Sequence, residues 1–316
     1  MLVAVTGASG LIGTALTRRL RAEGHEVLRL TRSRPTAADQ VQWDPMGGRL
    51  DPEDLAKADA VVHLAAANIG DKLRWTAKTK RDILQTRVQG TGLVARTMAD
   101  LAGGPKGGPS EHRATGGPRV LVCASGAHYY GDRGDEVLTE SSSAGSGFLA
   151  DVVRRWEAAA DPARAAGLRV VHMRTGPVQD AAGAGLPKQA LMFRLGLGGR
   201  FGSGRQWLSW TVLDDIAGAY LHALTHDDLA GPVNNVAPNP VTNAEFTATL
   251  ARVLGRPAFL HVPAFAPRLV LGEFADQMLF TSIRALPVRL QETGYRFRFP
   301  ELEPALRHTL NRPERG

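Results

Sequence analysis

Residues 1–31 read MLVAVTGASGLIGTALTRRLRAEGHEVLRLT. Residues 1–6 are apolar and rich in valine, the composition of a strand buried on both faces of a parallel sheet. Gly7, Gly10 and Gly13 follow within TGASGLIG, and a helical pattern then sets Ile12, Leu16 and Leu20 on one face with Arg18, Arg19 and Arg21 elsewhere. Gly24 is placed to close that helix, and residues 25–31 read as a second strand. Strand, glycine turn, helix and strand form a βαβ unit with a right-handed crossover. Between a strand and a helix, glycines at this spacing meet the needs of a pyrophosphate: free backbone N–H donors, a positive helix end and no side chain in the way.

The alternation continues. Residues 58–65 (ADAVVHLA) read as a core strand, about 75–100 as one long helix, 119–125 (RVLVCAS) as a strand, 148–166 as a helix and 168–174 (LRVVHMR) as a strand. Residues 102–118 are so dense in Gly and Pro that a surface loop is expected there. Beyond residue 175 the rhythm loosens: 183–204 is glycine-rich, while 212–225 and 243–254 read as helices, the latter closed by Gly255. The expected fold is α/β, a Rossmann-type doubly wound parallel sheet with a smaller C-terminal substrate lobe. Residues 1–175 form the dinucleotide-binding domain. Residues 176–316 form a mixed substrate lobe and C-terminal domain over the sheet's carboxyl edge, with some segments returning to the sheet.

Composition narrows the function. The chain has 316 residues, 43% hydrophobic and 22% charged, which suits a globular protein and excludes wholesale disorder. Its 38 Lys and Arg against 31 Asp and Glu leave a net charge of +7, which admits an anionic partner without choosing one. A single cysteine, Cys123, cannot form an intrachain disulfide and fits a reducing compartment. No apolar run approaches the roughly 18 residues of a membrane span, and residues 1–10 lack the pattern of a signal peptide. A cytoplasmic protein with a small-molecule substrate is expected, with no membrane partner. The arginines are dispersed and no nucleic-acid-binding motif accompanies them, so no nucleic acid is expected either. Metal binding has little support: there is no Cys pair and no carboxylate run of ligand spacing.

The second strand ends Leu30-Thr31-Arg32-Ser33-Arg34. An NAD-selective site commonly places Asp or Glu at that tip, where the charge would repel a 2′-phosphate. The tip here is cationic, so NADP(H) is preferred and NAD(H) remains admissible. Arg32 is the first choice for the 2′-phosphate, with Ser9, Thr31, Ser33 and Arg34 beside it.

TGASGLIG, HLAA (63–66), the serine of CAS (Ser125) and RTGPV (174–178) together resemble the extended short-chain dehydrogenase/reductase superfamily, the NAD(P)-dependent epimerase and dehydratase group. AAANIGDKLRWTAKTKRDILQTRVQGT, YYGDRGDEVLTE, GSGRQWLSWTVLDDIAGAY and ALPVRLQETGYRFRFPELEPALRHTL narrow the resemblance to its atypical "epimerase family protein" branch, a nucleotide-sugar epimerase-like group with a short C-terminal domain. The resemblance covers nearly the whole chain. It implies cofactor contacts at Gly7, Ser9, Gly10, Leu11, Ile12, Gly13, Thr31, Arg32, Ser33, Leu64, Ala65, Ala66 and Arg87. It implies substrate contacts at Asn68, Arg74, Trp75, Tyr130, Arg205 and Trp207. Pairing of two copies through helices, common in the superfamily, is also implied.

That superfamily moves protons with a Tyr and a Lys four residues apart, beside a substrate-orienting serine, which Ser125 matches. Counting back from Glu157 puts Leu149 and Val153 in the Tyr and Lys places; the neighbouring register puts Phe148 and Val152 there. None can transfer a proton, and the lost acid/base is worth about 10²–10⁴-fold. Replacements are sought in the loop after the Ser125 strand: Tyr129 first, with Tyr130, His128, Asp132, Asp135 and Glu140 behind it. Arg74, Lys78 and Arg81 at i, i+4 and i+7 would share one basic helix face able to grip an acidic substrate. Arg205, Trp207 and Trp210 would suit stacking and edge recognition of a ring, with core packing the alternative for both tryptophans. Two readings remain: an NADP(H)-dependent oxidoreductase or epimerase acting on a small carbonyl or hydroxyl compound, or a non-catalytic NADP(H)-binding sensor or scaffold.

Overall fold

The computed structural model describes residues 1–103, 117–183 and 185–312. Five strands of the central sheet come early: β1 (Leu2–Thr6), β2 (Glu26–Thr31), β3 (Gln40–Gln42), β4 (Ala60–His63) and β5 (Val120–Gly126). Two later strands, Arg169–Thr175 and Gly231–Asn235, extend the sheet beyond β5. All neighbouring pairs of this seven-stranded sheet are parallel. From β1 the chain winds outward through β2 and β3 in one direction, then resumes on the other side at β4, so the order reverses between β1 and β4. In an open sheet a ligand crevice forms at that reversal, outside the carboxyl ends of the strands.

The alternation within β1 shows why the sheet is covered twice. Val3 and Val5 point to one face, where they meet Leu16 and Leu20 of α1 (Leu11–Ala22) and Ile216 and Tyr220 of the helix Leu213–Thr225. Ala4 points to the other, which is packed by Leu55 of α2 (Pro52–Ala56) and by Leu93, Val94 and Met98 of α3 (Ala77–Leu101). Both faces exclude water, hence the near-continuous apolar runs. A third core, built on Leu186, Phe193, Trp210, Phe246 and Leu306, belongs to the C-terminal lobe.

The expected helix over residues 148–166 is two helices, α4 (Phe148–Ala158) and Asp161–Ala165. Pro162 causes the break: it has no N–H for the ladder and is accommodated at the start of the second helix. α3 begins after Thr76, whose side chain accepts from Thr79 N, so Arg74 lies before the helix and shares no helical face with Lys78 and Arg81. The Gly/Pro-rich stretch falls mostly, at residues 104–116, outside the described residues. Among those described, no helix is long and apolar enough to cross a membrane.

Candidate functional site

Gly7 sits at φ +68°, and a Cβ there would lie 2.9 Å from Ala65 N, so the turn needs glycine both for its conformation and for close approach to the end of β4. Gly13 serves packing: a Cβ would lie 2.1 Å from Gly7 O and 2.7 Å from Ala8 Cα. Gly10 differs. Its Cβ would meet only Gly7 O, at 3.3 Å, so what its missing side chain keeps clear is the open side of the turn. Gly10 also precedes α1 without any side-chain cap, which leaves the first amides of a twelve-residue helix aimed at that opening.

The turn forms one wall of a cleft of about 560 Å³ at the carboxyl edge. Gly7, Ser9 and Gly10 line it, as do Thr31, Arg32 and Ser33 from the tip of β2 and Leu64, Ala65 and Ala66 beyond β4. The structure therefore brings nine of the sequence-predicted cofactor residues into one cavity. Leu11, Ile12 and Gly13 stand behind them in the first turn of α1, with Ile12 packed against the core. Trp43 also lines the cleft and escaped the sequence reading, although WDP directly after a short strand marks a chain reversal at the same edge. Among the described residues no carboxylate lines the cleft, whereas Arg29 and Arg32 do. Arg29 is committed to Asp39, its Nε donating at 2.9 Å and its Nη2 at 2.6 Å.

The wall after β4 is held from below. Thr6 Oγ1 accepts from Leu64 N (3.1 Å) and Ala65 N (3.2 Å), which leaves its own hydrogen for His63 Nδ1 at 2.8 Å. That fixes the proton of the neutral His63 ring on Nε2, and burial pushes the imidazole pKa down to about 4. Ala67 is gripped at both ends, its N–H by Thr86 Oγ1 (3.2 Å) and its carbonyl by Arg87 Nη1 (3.0 Å). Arg87 is buried against Trp156 and braces the wall from behind; burial pushes its pKa down to about 10. Thr6→Val keeps the shape but strands the Ala65 amide and a ring nitrogen, and leaves Leu64 N with only the Thr6 carbonyl at 3.3 Å. It should cost about 2–4 kcal/mol by chemical denaturation and weaken any ligand of the cleft. An unchanged denaturation midpoint would contradict this account of the wall.

Beside the cleft lies a buried polar network. Ser125 Oγ donates to Glu157 Oε1 at 2.6 Å, and Arg174 grips the same carboxylate through Nε and Nη2, each at 2.8 Å. Burial alone would raise the Glu157 carboxyl; the Arg174 guanidinium outweighs it and holds the group below the usual carboxylate range. Arg174 Nη1 also donates to Tyr130 Oη at 3.1 Å, and its guanidinium lies 3.4 Å from the centre of the Tyr129 ring.

Several expected roles change here. Tyr130 is fully buried and its hydroxyl is shared among Thr139 O, Asn234 Oδ1 and Arg174, so it is a core residue and not a substrate contact. Burial pushes its pKa up to about 12. His128 Nε2 donates to Gln277 O (3.1 Å) and burial pushes its pKa down to about 4, so at neutral pH it is an uncharged imidazole whose one N–H is already committed, not an acid. Asp132 accepts from Ser282 N, Asp135 from Trp207 Nε1, and the buried Glu140 from Asn234 N and Arg289 N. These carboxylates tie the C-terminal lobe to the loop. Tyr129 alone of the loop candidates has a polar group without a hydrogen bond among the described residues. On α4 the positions matched to Tyr and Lys hold buried Leu149 and Val153, and Leu149 N donates to Gln277 Oε1 at 3.3 Å.

The expected substrate contacts scatter. Asn68 lines the cleft and caps the turn Ile69–Asp71, its Oδ1 accepting from Gly70 N at 2.9 Å. Trp75 is packed edge-on between Phe148 and Phe274, each 5.5 Å away, which is a stack of the protein's own rings. Arg74 and Arg205 are exposed, Trp207 lies beneath Arg284, and Trp210 is fully buried; none of the four lines this cleft. Cys123 is buried, and its thiol is driven up by that burial. Among the described residues no cluster of His, Cys, Asp or Glu could hold a metal ion.

Comparison with known proteins gives this geometry a family. Residues 262–309 match a domain of unknown function, DUF1731. The chain is 40% identical to the epimerase family protein Mb2239 of Mycobacterium bovis over 98% of both chains. It superposes on the crystal structure of the human epimerase family protein SDR39U1 with NADPH at a TM-score of 0.83, with 34% identity over 98% of this chain and 99% of that one. A nucleoside-diphosphate sugar epimerase from Corynebacterium glutamicum gives a TM-score of 0.79 at 34% identity; 98% of this chain is covered but only 58% of that chain. Residues 3–237 match the NAD dependent epimerase/dehydratase family, and with these relatives covering 98% of its length the chain belongs to that family.

Proposed function

We propose that the cleft binds NADP(H) and that the protein is an oxidoreductase or epimerase-like enzyme acting on a small carbonyl or hydroxyl compound, a nucleotide sugar being one such class. One observation carries the cofactor reading: the tip of β2 brings Arg32 and Ser33 into the cavity that the glycine turn opens, with no carboxylate beside them among the described residues. The human relative crystallised with NADPH supports the same choice. The uncapped start of α1 and the bare Gly10 would face the pyrophosphate, while Arg32 would meet the 2′-phosphate. The nicotinamide, when bound, supplies or accepts the hydride.

The chain's own residues then handle the substrate oxygen. Because the Ser125 hydrogen is committed to Glu157, Ser125 presents lone pairs and accepts from a substrate hydroxyl. For a carbonyl substrate the proton must come from elsewhere, and Tyr129 is the group in the loop with its hydroxyl unused. The same commitment of Ser125, with Leu149 and Val153 on α4, favours a second reading in which the protein binds NADP(H) as a sensor or scaffold without turnover.

Arg32→Asp should weaken NADPH binding about ten- to hundredfold and leave NADH nearly unchanged, read by calorimetry. Equal losses for both cofactors would move 2′-phosphate recognition away from Arg32. Screening carbonyl compounds and nucleotide sugars for NADPH oxidation, with Ser125→Ala as control, separates the two readings. Turnover that Ser125→Ala abolishes supports the enzyme; tight NADPH binding with no turnover across the panel supports the sensor.

A further inference from the structure

Thirteen large apolar side chains stand exposed among the described residues, and nine of them fall on two stretches of the C-terminal lobe. Leu191, Met192, Leu195 and Leu197 occupy the first; Phe259, Leu260, Phe265, Leu269 and Val270 occupy the second. Scattered exposed leucines are ordinary, but a concentration of this kind marks a surface that meets something else. The fold joins the two stretches. Strand Gly199–Phe201 pairs in parallel with strand Leu260–Val262, setting Leu260 opposite Gly199, and Gly202 N donates to Val262 O at 2.9 Å. Helix Leu186–Arg194 turns Leu186, Ala190 and Phe193 into the lobe and leaves Leu191 and Met192 outside. Helix Phe265–Leu271 buries Pro267 and leaves Phe265 and Leu269, one turn apart, outside.

The charge on these stretches has one sign. Residues 185–202 and 255–271 contain Lys188, Arg194, Arg200, Arg256, Arg268 and His261, and no Asp or Glu. Arg268 is paired with Asp276; Lys188, Arg194, Arg200 and Arg256 have no ion-pair partner among the described residues. A second copy of this face would set cation against cation. Phe259 is 91% exposed, Leu269 78% and Phe265 70%, so these side chains project singly instead of lining a groove shaped for a protein partner. Projecting apolar side chains interspersed along the chain with cations suit the boundary between anionic headgroups and acyl chains. Lying on that boundary requires no spanning segment, so the lack of any membrane-crossing helix among the described residues is no obstacle.

We propose that this face of the C-terminal lobe docks on an anionic phospholipid surface, with Phe259, Phe265 and Leu269 entering the headgroup layer and Lys188, Arg194, Arg200 and Arg256 meeting lipid phosphates. The inference is independent of the cofactor reading and concerns residues outside the cleft. Its test is co-sedimentation of the full-length protein with vesicles of pure phosphatidylcholine or of phosphatidylcholine with one-third phosphatidylglycerol, alongside sedimentation velocity without lipid. Binding should favour the anionic vesicles at least about tenfold and weaken in high salt. The triple variant Phe259→Ser, Phe265→Ser, Leu269→Ser should lose at least about tenfold, and Arg194→Glu, Arg200→Glu, Arg256→Glu about a hundredfold, with thermal midpoints and NADPH affinity unchanged. Equal or no binding to the two vesicle types would overturn the proposal, as would variants that sediment like the parent. A dimer that the serine variant dissolves, without vesicle binding, would assign the face to a second copy.

Discussion

Gly13→Ala will destabilise the protein by about 1–3 kcal/mol and weaken NADPH binding at least about a hundredfold, although alanine is the better helix former by roughly 1 kcal/mol. The added methyl would lie 2.1 Å from Gly7 O, 2.7 Å from Ala8 Cα and 2.9 Å from Ala8 C. All three atoms belong to the main chain, so no side chain can swing aside and the turn itself must open. Opening it moves Gly7 away from Ala65 and withdraws the amides at the start of α1 from the cleft. Gly10→Ala is the contrasting case. Its methyl would meet Gly7 O alone, at 3.3 Å, so stability should change by less than about 0.5 kcal/mol while the cofactor is obstructed. Urea unfolding and calorimetry on both variants separate the two functions of the turn. A Gly13→Ala protein with the parent's midpoint and affinity would refute the packing role given to this glycine.

These glycines and the apolar strands were legible because their causes are local. Val3, Ala4 and Val5 alternate between two covered faces, and a run of such residues has few alternatives in water. What could not be read depends on partners far along the chain. β3 consists of Gln40, Val41 and Gln42, with no strand signature of its own, and exists because β2 offers it an edge. Trp75 has the composition of a ring-stacking platform, but Phe274 arrives from nearly two hundred residues away to cover it. Tyr130 reads as a site residue beside Ser125 until Asn234, on the last strand of the sheet, takes its hydroxyl. The Ser125–Glu157–Arg174 network was hidden for the same reason: it needs α4 laid across the ends of β5 and the strand Arg169–Thr175. A charged residue one short of the end of a core strand, as Arg174 is in RVVHMRT, was the available signal.

Arg174→Met should cost about 3–5 kcal/mol at pH 7, because it leaves Glu157 as a buried carboxylate with Ser125 as its remaining partner. The side chains of Arg174 and Glu157 are only 3% and 12% exposed, so water cannot replace the lost guanidinium. The penalty carries a pH signature. In the parent the Glu157 carboxyl is held below its ordinary value, so its contribution is present above the unfolded-state pKa and is lost as pH falls through the lower folded one. In the variant, burial without the guanidinium raises the carboxyl, and stability is instead lost as pH rises through that raised value. The difference between the two proteins should therefore shrink steadily from pH 7 toward pH 4.5 in urea unfolding. Adding Glu157→Gln to Arg174→Met removes the stranded charge and should restore part of the loss. A pH-independent difference, or a double variant no more stable than the single one, would mean that packing of the arginine against Tyr129 and Tyr130 is what matters. The outcome also bears on Ser125. An ionised Glu157 can only accept and therefore takes the Ser125 hydrogen, whereas a protonated one can donate to Ser125 and free that hydrogen, so the Arg174 guanidinium governs whether the serine meets a substrate as an acceptor or as a donor.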